Sequence, residues 1–320
     1  MKPRAFITGC TGQDGSYLAE LLIEKGYQVY GLVRRSSTNN TRRISHILDD
    51  LKILHGDVTD YSSVYRAMKL AEPSEIYHLA AQSFVGGSFE YPAATLDITG
   101  KGTLNVLEAM RILAPYARMY QASSSEQFGN SYPDFDPISP YGCAKVFAHY
   151  LCSTYRLAYH LHINCGIAFN HESPRRGLEF VTQKIVQTLV RIKLGSQEKL
   201  KLGNVGVVRD WSHAGDIMQA AHLMLQQEQP DDYILASGIS HSVSEFAEQV
   251  ASYLKVDLPS VLEISSEFKR PTDVWHLRGN YTKALRTLGW SPTVTFEELI
   301  HEMVDHALAN AESHNPVQIH

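Results

Sequence analysis

The first 25 residues constrain the fold more than any other part of the chain. A short apolar run at 5–8 leads into GCTGQDG, with glycines at positions 9, 12 and 15, and a helical pattern of leucines follows at 17–25. Glycines at this spacing permit a tight turn and close approach of the backbone to a pyrophosphate, whose charge the following helix N-terminus attracts. The segment therefore predicts a strand–turn–helix unit that binds a dinucleotide.

Strand-like and helix-like runs alternate through the first half of the chain. Strands are predicted at 28–33, 51–54, 75–79, 119–122 and 163–169, and helices at 61–70, at 99–113 and from Pro140 onward. Within the last helix we expect Phe147, Tyr150 and Leu151 to face inward. This alternation predicts an α/β fold, a doubly wound parallel sheet of the Rossmann type.

The pattern changes after residue 169. Helices are predicted at 180–194, 216–227, 243–254 and 297–310, with a short strand at 200–203, and no repeat or linker separates them from the first half. We therefore predict a dinucleotide-binding domain over residues 1–169, on which later segments near 204–240 pack. Residues 170–320 are predicted to form, for the most part, a smaller substrate-binding lobe.

Composition narrows the class of protein. Hydrophobic residues make up 44%, charged residues 20%, and the net charge is -5, which fits a globular protein and argues against a nucleic-acid partner. No apolar run has the length of a membrane span, and no signal peptide precedes the first strand, so no membrane partner is expected. The four cysteines and 15 histidines show no metal-ligand spacing, which predicts no metal site and a reducing cytoplasm.

The residues after the second strand indicate which dinucleotide binds. Enzymes that use NAD usually place an acidic residue there, about 20 residues past the glycines. This chain has Arg34, Arg35, Ser36 and Ser37, whose guanidinium and hydroxyl groups fit a 2′-phosphate and predict NADP. A solvated basic loop is the alternative, because a second Arg-Arg pair follows nearby.

Three later strand ends carry residues suited to a ligand site. Asp57 follows the third strand, where its carboxylate could accept a hydrogen bond from an adenine amino group. The small residues of the AAQS segment at 80–83 follow the fourth strand and would let a cofactor lie close. Ser124 and Glu126 follow the fifth strand, and ligands of open parallel sheets bind beyond the carboxyl ends of strands.

A tyrosine and a lysine stand four residues apart at the start of a predicted helix. Ser139 is suited to cap that helix and Pro140 to its first turn, which places Tyr141 and Lys145 on one face. A lysine ammonium beside a phenol lowers the phenol pKa, so we expect a tyrosine that removes a proton from a sugar hydroxyl near neutral pH.

Three arginines of the second half are available for an anionic group such as a diphosphate. They are Arg176, Arg209 and Arg270. Surface salt bridges are the alternative for each of them.

Together these motifs resemble the extended short-chain dehydrogenase/reductase family and, within it, the GDP-mannose 4,6-dehydratases. The matching motifs, in family order, are TGCTGQDGSYLAELLIEKGY, VRRSS, LAAQSFV, YQASSSEQFG, SPYGCAK, FNHESPRRG, FVTQKI, LGN, RDW and RPTDV. They run over almost the whole chain, and FNHESPRRG and TGQDGSYLAE are the most specific.

The resemblance implies an activity and a set of site residues. The implied enzyme is a hydro-lyase that uses NADP to dehydrate GDP-mannose to GDP-4-keto-6-deoxymannose, as a cytoplasmic homodimer or homotetramer. The implied catalytic residues are Ser124, Glu126, Tyr141 and Lys145. The implied NADP contacts are Thr8, Gly9, Thr11, Gly12, Gln13, Asp14, Gly15, Arg34, Arg35, Ser36, Ser37, Asp57, Val58, Leu79, Ala80, Ala81, Gln82, Ser83, Tyr141, Lys145, His171 and Arg176. The implied GDP-sugar contacts are Ser83, Ser124, Glu126, Asn170, Lys184, Leu202, Gly203, Arg209 and Arg270.

Two departures from the family pattern keep other activities open. Ser124 stands where the family has Thr, and the loop at 130–138, which we expect to border the sugar, is shorter than in the family. One alternative is a reductase of the GDP-4-keto-6-deoxy sugar. Another is a 4,6-dehydratase of a different GDP-sugar, such as a GDP-heptose. A third, a non-catalytic NADP sensor, is disfavoured because all four catalytic residues are intact.

Overall fold

The structure is a computed structural model that describes residues 2–37, 40–268 and 270–313. Within these residues twelve strands form. In chain order they are β1 (Arg4–Thr8), β2 (Gln28–Val33), β3 (Leu51–His55), β4 (Glu75–His78), β5 (Arg118–Ser124), β6 (His162–Ala168), β7 (Asn170–Glu172), β8 (Leu200–Leu202), β9 (Val208–His213), β10 (Asp232–Leu235), β11 (Ser240–Ser242) and β12 (Leu262–Ile264).

Seven strands form the main sheet, in the order β10-β6-β5-β4-β1-β2-β3. All neighbours in it are parallel. The strand order reverses between β1 and β4, and in open α/β sheets such a reversal leaves a crevice at the carboxyl ends of the strands. The doubly wound parallel sheet that the alternation predicts is confirmed.

The α-helices connect these strands. In chain order they are α1 (Gln13–Glu24), α2 (Tyr61–Ala71), α3 (Val85–Glu90), α4 (Pro92–Thr95), α5 (Gly102–Leu113), α6 (Pro140–Tyr159), α7 (Val181–Lys193), α8 (Ala214–Leu225), α9 (Val243–Leu254), α10 (Leu258–Val261), α11 (Thr282–Leu288) and α12 (Phe296–Ser313). Short 3₁₀ segments lie at Arg42–Ile47, Ser125–Gln127 and Ser266–Phe268, and a π-helical turn at Leu96–Lys101. No helix among the described residues is both long enough and apolar enough to cross a membrane.

Helices cover both faces of the main sheet. One face packs against α1 and α8 through residues such as Leu18 and Ile217. The other face packs against α2, α5 and α6 through residues such as Met68, Leu107 and Cys152. A third apolar core joins α7, α9 and α12, so the second half of the chain has a core of its own.

The second half is nevertheless built onto the main sheet. It supplies the edge strand β10, which pairs with β6. Hydrogen bonds to two buried carboxylates, those of Asp210 and Asp216, connect its segments to one another. Asp210 accepts hydrogen bonds from the amides of Ser237 at 2.8 Å and Gly279 at 3.1 Å. Asp216 accepts from the amide and hydroxyl of Thr293 at 2.8 Å and 2.5 Å.

Two helix boundaries differ from the sequence prediction. α1 begins at Gln13, four residues early, because the glycine-rich segment itself turns into the helix. The helix predicted from residue 99 begins as an α-helix only at Gly102, after the π-helical turn. At that turn the Thr99 hydroxyl accepts a hydrogen bond from the Gln82 amide at 3.2 Å, so the turn serves the neighbouring loop.

The expected inward orientation of two residues of α6 is wrong. Phe147 and Tyr150 are 45% and 57% exposed, whereas Leu151 packs partly buried against the core. The face of α6 that meets the sheet carries Tyr141 and Lys145 instead. The helix has apolar residues on more than one face, and the face that packs against the sheet is the one that carries Tyr141 and Lys145.

Candidate active site

A cavity of about 1070 Å³ lies along the carboxyl ends of the central strands and continues toward the second half of the chain. Nearly all of the predicted site residues line it. The exceptions are Thr8, Arg35, Ser36 and Ser37. Thr8 is buried beneath the wall, where its hydroxyl lies 2.7 Å from His78 Nδ1 and accepts from the Ala80 amide at 3.2 Å.

The cavity begins at the glycine-rich turn. Gly9 has φ +77, and a Cβ there would lie 2.9 Å from the Ala80 amide nitrogen. A Cβ on Gly15 would lie 2.2 Å from the Gly9 carbonyl oxygen. Gly12 forms the N-cap of α1, and no side chain caps this end. The positive end of the helix thus lines an accessible cavity without a side chain in the way, which fits the pyrophosphate of a dinucleotide.

The segment after β2 lies at the outer end of the same cavity. Arg34 lines the cavity, and Arg34 to Ser37 are exposed. Asp57, after the neighbouring β3, also lines it, and its carboxylate accepts from the amide of Thr59 at 2.9 Å and from its hydroxyl at 2.8 Å. Basic and acidic side chains therefore flank the mouth where the adenosine end of a dinucleotide would lie.

Tyr141 and Lys145 lie at the opposite end, in the first turns of α6. The Ser139 hydroxyl accepts from the Gly142 amide at 3.0 Å, so the predicted helix cap is confirmed. Lys145 Nζ lies 5.6 Å from the centre of the Tyr141 ring and donates to the Ala122 carbonyl oxygen at 2.6 Å. That bond anchors the lysine to β5.

The expected lowering of the Tyr141 pKa is wrong for this structure. Tyr141 is 7% exposed, and its burial raises the pKa of the phenol well above its usual value, with Ser124 acting in the opposite direction. Burial also lowers the pKa of Lys145, to about 8. Spacing on a helix shows which groups are neighbours, but the cost of desolvating them depends on the surrounding fold.

Ser124 and Glu126 lie beside this pair at the end of β5. The Ser124 hydroxyl accepts from the Glu126 amide at 3.3 Å and caps a single 3₁₀ turn. Glu126 is 9% exposed, and burial raises the pKa of its carboxyl group, while the charges of Arg209 and Arg270 oppose the rise. A buried carboxyl of raised pKa in a cavity is suited to proton transfer.

Two of the three predicted arginines meet at the far wall. Arg209 donates to Asp273 at 2.8 Å and to the Val274 carbonyl oxygen at 2.6 Å. Arg270 lies 4.0 Å from the same Asp273 carboxylate. The sequence analysis missed Asp273 as a site residue, although it stands within the RPTDV motif. It positions both guanidinium groups and offsets part of their charge.

Aromatic rings also line the cavity, and the sequence analysis missed them. Arg176 stacks over Phe180 at 3.4 Å and pairs with Glu172 at 3.1 Å. Lys184 Nζ lies 3.2 Å from the centre of Phe268. Lys184 and Phe268 belong to distant segments and meet only in the folded chain, whereas Arg176 and Phe180 stand four residues apart and could have been paired from the sequence.

A polar network joins the glycine-rich turn to the second half. His171 Nε2 lies 2.9 Å from an Asp14 carboxylate oxygen, and the Ser173 hydroxyl donates to Gln13 at 2.8 Å. Burial opposes the charge on both members of the pair. The attraction nevertheless outweighs it, holding the pKa of Asp14 below its usual value and raising the pKa of His171.

Comparison with known proteins shows which protein family this chain matches. The family model described as GDP-mannose 4,6 dehydratase matches residues 6–303. The chain is 47% identical to GDP-mannose 4,6 dehydratase 1 of Arabidopsis thaliana over 332 residues, covering 98% of this chain and 92% of the relative. It is 43% identical to GDP-mannose 4,6 dehydratase of Homo sapiens, with 98% and 94% covered. For the Vibrio cholerae enzyme of that name, the identity is 41%, with 100% and 98% covered.

Solved structures share the fold at lower identity. The Thermus thermophilus UDP-glucose 4-epimerase complex with NAD superimposes with a TM-score of 0.84 at 25% identity, covering 95% of this chain and 98% of the other. dTDP-glucose 4,6-dehydratase from Bacillus anthracis, in complex with NAD, gives 0.86 at 21% identity, with 97% and 98% covered. RMD from Pseudomonas aeruginosa, complexed with NADPH, gives 0.79 at 22% identity, with 96% and 99% covered.

The Asp14–His171 pair predicts a pH-dependent stability. His171, with a raised pKa, contributes fully below about pH 6.5 and loses its contribution as pH rises through the folded pKa. Asp14, with a lowered pKa, contributes fully above about pH 3.9 and loses its contribution as pH falls through the folded pKa. We expect His171→Gln to lower the free energy of unfolding by about 1.5–3 kcal/mol. The loss should be greatest between about pH 3.9 and about pH 6.5, where both residues contribute fully.

Denaturant unfolding across pH tests this expectation. The matched control is His46→Gln, which removes the exposed His46–Glu20 pair and should change stability little at any pH. A His171→Gln deficit that is the same at pH 5 and at pH 9 would contradict the linkage, because roughly two to three pH units above the ordinary histidine pKa the contribution should be reduced.

Proposed function

Because this chain belongs to the GDP-mannose 4,6-dehydratase family, we propose that it is an NADP-dependent hydro-lyase that converts GDP-mannose to GDP-4-keto-6-deoxymannose. One observation carries the proposal. The buried carboxyl of Glu126 shares a single turn with Ser124 beside the Tyr141 phenol. Oxidation of a sugar hydroxyl needs one base, whereas the elimination of water needs a second group that moves a proton at a neighbouring carbon. This site offers both.

The first step uses the face of α6 and the end of β5. Tyr141 takes the proton from the O4 hydroxyl of the sugar, and Lys145, fixed to the Ala122 carbonyl at 2.6 Å, holds its ammonium 5.6 Å from the centre of the phenol ring. Ser124 donates a hydrogen bond to O4 and stabilises the developing ketone. The glycine-rich turn and Arg34 would hold NADP⁺, which would supply a reversible hydride acceptor, so that transfer from C4 to C6 leaves no net redox change.

The elimination uses Glu126. A ketone at C4 makes the C5 hydrogen acidic, and Glu126 in its carboxylate form removes that proton. The same group, now protonated, delivers that proton to the leaving C6 hydroxyl, which departs as water. C5 takes up one proton from solvent as C6 receives the hydride, and Tyr141 releases to solvent the proton that it took from O4, so the protons balance. Burial raises the pKa of Glu126, which lowers the free-energy cost of holding the proton between the two transfers.

The cofactor end supports NADP as the dinucleotide. The glycine-rich turn fits a pyrophosphate, and Arg34 to Ser37 replace the acidic residue that would bind the ribose of NAD. Arg34 lines the cavity, whereas Arg35 lies just outside it, so we assign Arg34 as the inner and Arg35 as the outer partner of the 2′-phosphate.

The substrate end supports a nucleotide diphosphate sugar. Arg209 and Arg270 form a cationic wall held by Asp273, and Lys184 lies beyond it in the same cavity. We propose that these cations bind the diphosphate of GDP-mannose, with the Asn170, Leu202 and Gly203 positions nearby. In this proposal residues 1–169 bind the cofactor, with β10 and α8 packed on them, and residues 170–320 bind most of the nucleotide sugar.

We further propose a cytoplasmic homodimer or homotetramer. All four cysteines are free, which suits a reducing compartment. Phe147 and Tyr150 expose large rings on one face of α6, and exposed apolar patches of this kind favour association between subunits.

The short loop gives little support to a different sugar. None of residues 130–138 lines the cavity. The loop reaches the site only indirectly, because the Asn130 side chain accepts from the Trp275 amide at 2.9 Å and the Thr272 hydroxyl donates to the Ile138 carbonyl at 2.6 Å. GDP-mannose therefore remains the substrate that we propose first.

The function is tested with GDP-mannose and a catalytic amount of NADP⁺. We expect a product lighter by one water, measured by mass spectrometry, while the absorbance of NADPH stays constant because the hydride is only borrowed. Absence of turnover with GDP-mannose, combined with stoichiometric NADPH oxidation by the 4-keto-6-deoxy sugar, would identify a reductase instead.

Two substitutions should stop the reaction at different points. Tyr141→Phe lacks the proton acceptor for O4, so we expect no bound NADPH after mixing with substrate. Glu126→Gln keeps that step but lacks the base for C5, so we expect NADPH and the 4-keto sugar to accumulate on the enzyme. Loss of a positioned acid or base should slow turnover by about 10²–10⁴-fold. Wild-type dehydration by Glu126→Gln would place the base elsewhere.

Cofactor preference should depend on the arginines after β2. We expect Arg34→Ala and Arg35→Ala each to weaken NADP⁺ binding by more than about tenfold, because a charge-assisted contact to phosphate contributes about 1.5–3 kcal/mol. Binding of NAD⁺ should be unchanged. Arg42→Ala, which removes an exposed arginine that does not line the cavity, is the control and should leave both affinities unchanged. Equal wild-type affinity for the two dinucleotides would refute the assignment.

A further inference from the structure

A second polar cluster lies between α6, β6 and β10, and the proposed reaction does not use it. It consists of His149, Cys165 and Asp232, whose ligand atoms all lie within 4.8 Å of one another. His149 Nε2 is 3.5 Å from Asp232 Oδ2. His149 is 6% exposed and Cys165 is fully buried, so the group is an interior feature.

We propose that His149, Cys165 and Asp232 form a binding site for one Zn²⁺ ion. An imidazole nitrogen, a thiolate and a carboxylate are the three kinds of protein ligand that zinc binds. The sequence analysis expected no metal, because these residues belong to three distant segments and form no short motif. The fold brings them together by placing β10 beside β6 at the edge of the main sheet.

The spacing of the donors suits tetrahedral coordination. With zinc–ligand bonds of about 2.0–2.3 Å, tetrahedral ligands lie roughly 3.3–3.8 Å apart. The His149–Asp232 distance of 3.5 Å falls in this range, and the Cys165 sulfur lies within 4.8 Å of both ligand atoms. Cys152 is buried in the same apolar core as Cys165 and is the candidate for a fourth ligand.

The surrounding hydrogen bonds orient the donors toward a common point. The Ser123 hydroxyl lies 3.0 Å from His149 Nδ1, which leaves Nε2 to face Asp232 and Cys165. Gln127 holds that hydroxyl by donating to it at 2.5 Å. The other oxygen of Asp232 accepts from Arg156 and from the Cys165 amide at 3.1 Å, so Oδ2 remains for a metal. Zinc-bound histidines are typically fixed by such a partner on the second ring nitrogen.

The charges balance when zinc binds. Zn²⁺ with the Cys165 thiolate and the Asp232 carboxylate is neutral, and a Cys152 thiolate would offset the nearby Arg156 guanidinium. The thiol protons leave to bulk water as the metal enters, since zinc binds thiolates and not thiols. Asp232 provides the route for exchange, because its side chain is 25% exposed while the other two ligands are buried.

A bound metal would stabilise the elements that carry the proposed catalytic residues without touching those residues itself. It would tie α6, which carries Tyr141 and Lys145, to β6 and β10. Ser123 and Gln127, which hold His149, directly flank Ser124 and Glu126 in sequence. Zinc would therefore brace the turn that presents both groups to the substrate.

Metal content and cobalt substitution test the site. After dialysis against a chelator, the protein is titrated with Zn²⁺ alone, and we expect one tightly bound equivalent per chain and a higher melting temperature. Substitution with Co²⁺ should give a thiolate-to-metal charge-transfer absorption. Ser123→Ala, which removes the hydroxyl that contacts both His149 and Gln127 and leaves all three ligands in place, should weaken binding by about 10–100-fold.

Substitutions of the ligands separate this site from other thiols. Cys165→Ser and His149→Gln should each lose the bound equivalent, whereas Cys143→Ser, which removes the exposed cysteine, should retain it. Zinc bound only through Cys143 would overturn the proposal. So would the lack of a cobalt–thiolate band in the unsubstituted protein, a measurement that does not depend on whether any variant folds.

Discussion

The backbone contact between β1 and α1 is the constraint on which the rest of the structure depends. A Cβ on Gly15 would lie 2.2 Å from the Gly9 carbonyl oxygen, so only glycine permits this approach. Because helix and strand meet here, the N-terminus of α1 opens onto the crevice where the strand order reverses. Gln13 and Asp14, the first residues of α1, then reach across to Ser173 and His171 at the start of the second half. A shift of α1 would therefore displace the glycine-rich turn and the start of the second half together.

The proposed catalytic groups are buried, and burial adds a free-energy cost to their charged forms. Tyr141, Lys145 and Glu126 are each at most 9% exposed. Burial raises the pKa of Tyr141 and Glu126 and lowers the pKa of Lys145, which in each case favours the neutral form. In a cavity of low dielectric, burial thus adds a free-energy cost to the charged form of each group. Arg209 is equally buried, but Asp273 pairs with it and keeps a positive charge available for an anion.

Much of this arrangement could be predicted from the sequence because it is encoded locally. The glycine spacing, the alternation of strands and helices, and the Tyr–Lys interval each specify a neighbourhood within one element. What could not be predicted depends on distant segments. Asp273 pairs with Arg209 across the second half, the raised Tyr141 pKa comes from burial by the whole fold, and Phe147 faces outward because the sheet selects another face of α6. The cluster around His149 exists only once β10 has joined the sheet.

The fold alone does not select the reaction, since a UDP-glucose 4-epimerase and a dTDP-glucose 4,6-dehydratase superimpose on this chain about equally well. An epimerisation at C4 removes and returns a hydride at one carbon and requires no base at C5. A dehydration requires such a base, placed next to the group that stabilises the C4 ketone. Here the Ser124 hydroxyl caps the turn that carries Glu126, so one turn of backbone sets the distance between the two functions. The proposed dehydration therefore depends on this turn at the end of β5, and the common fold holds the turn against α6.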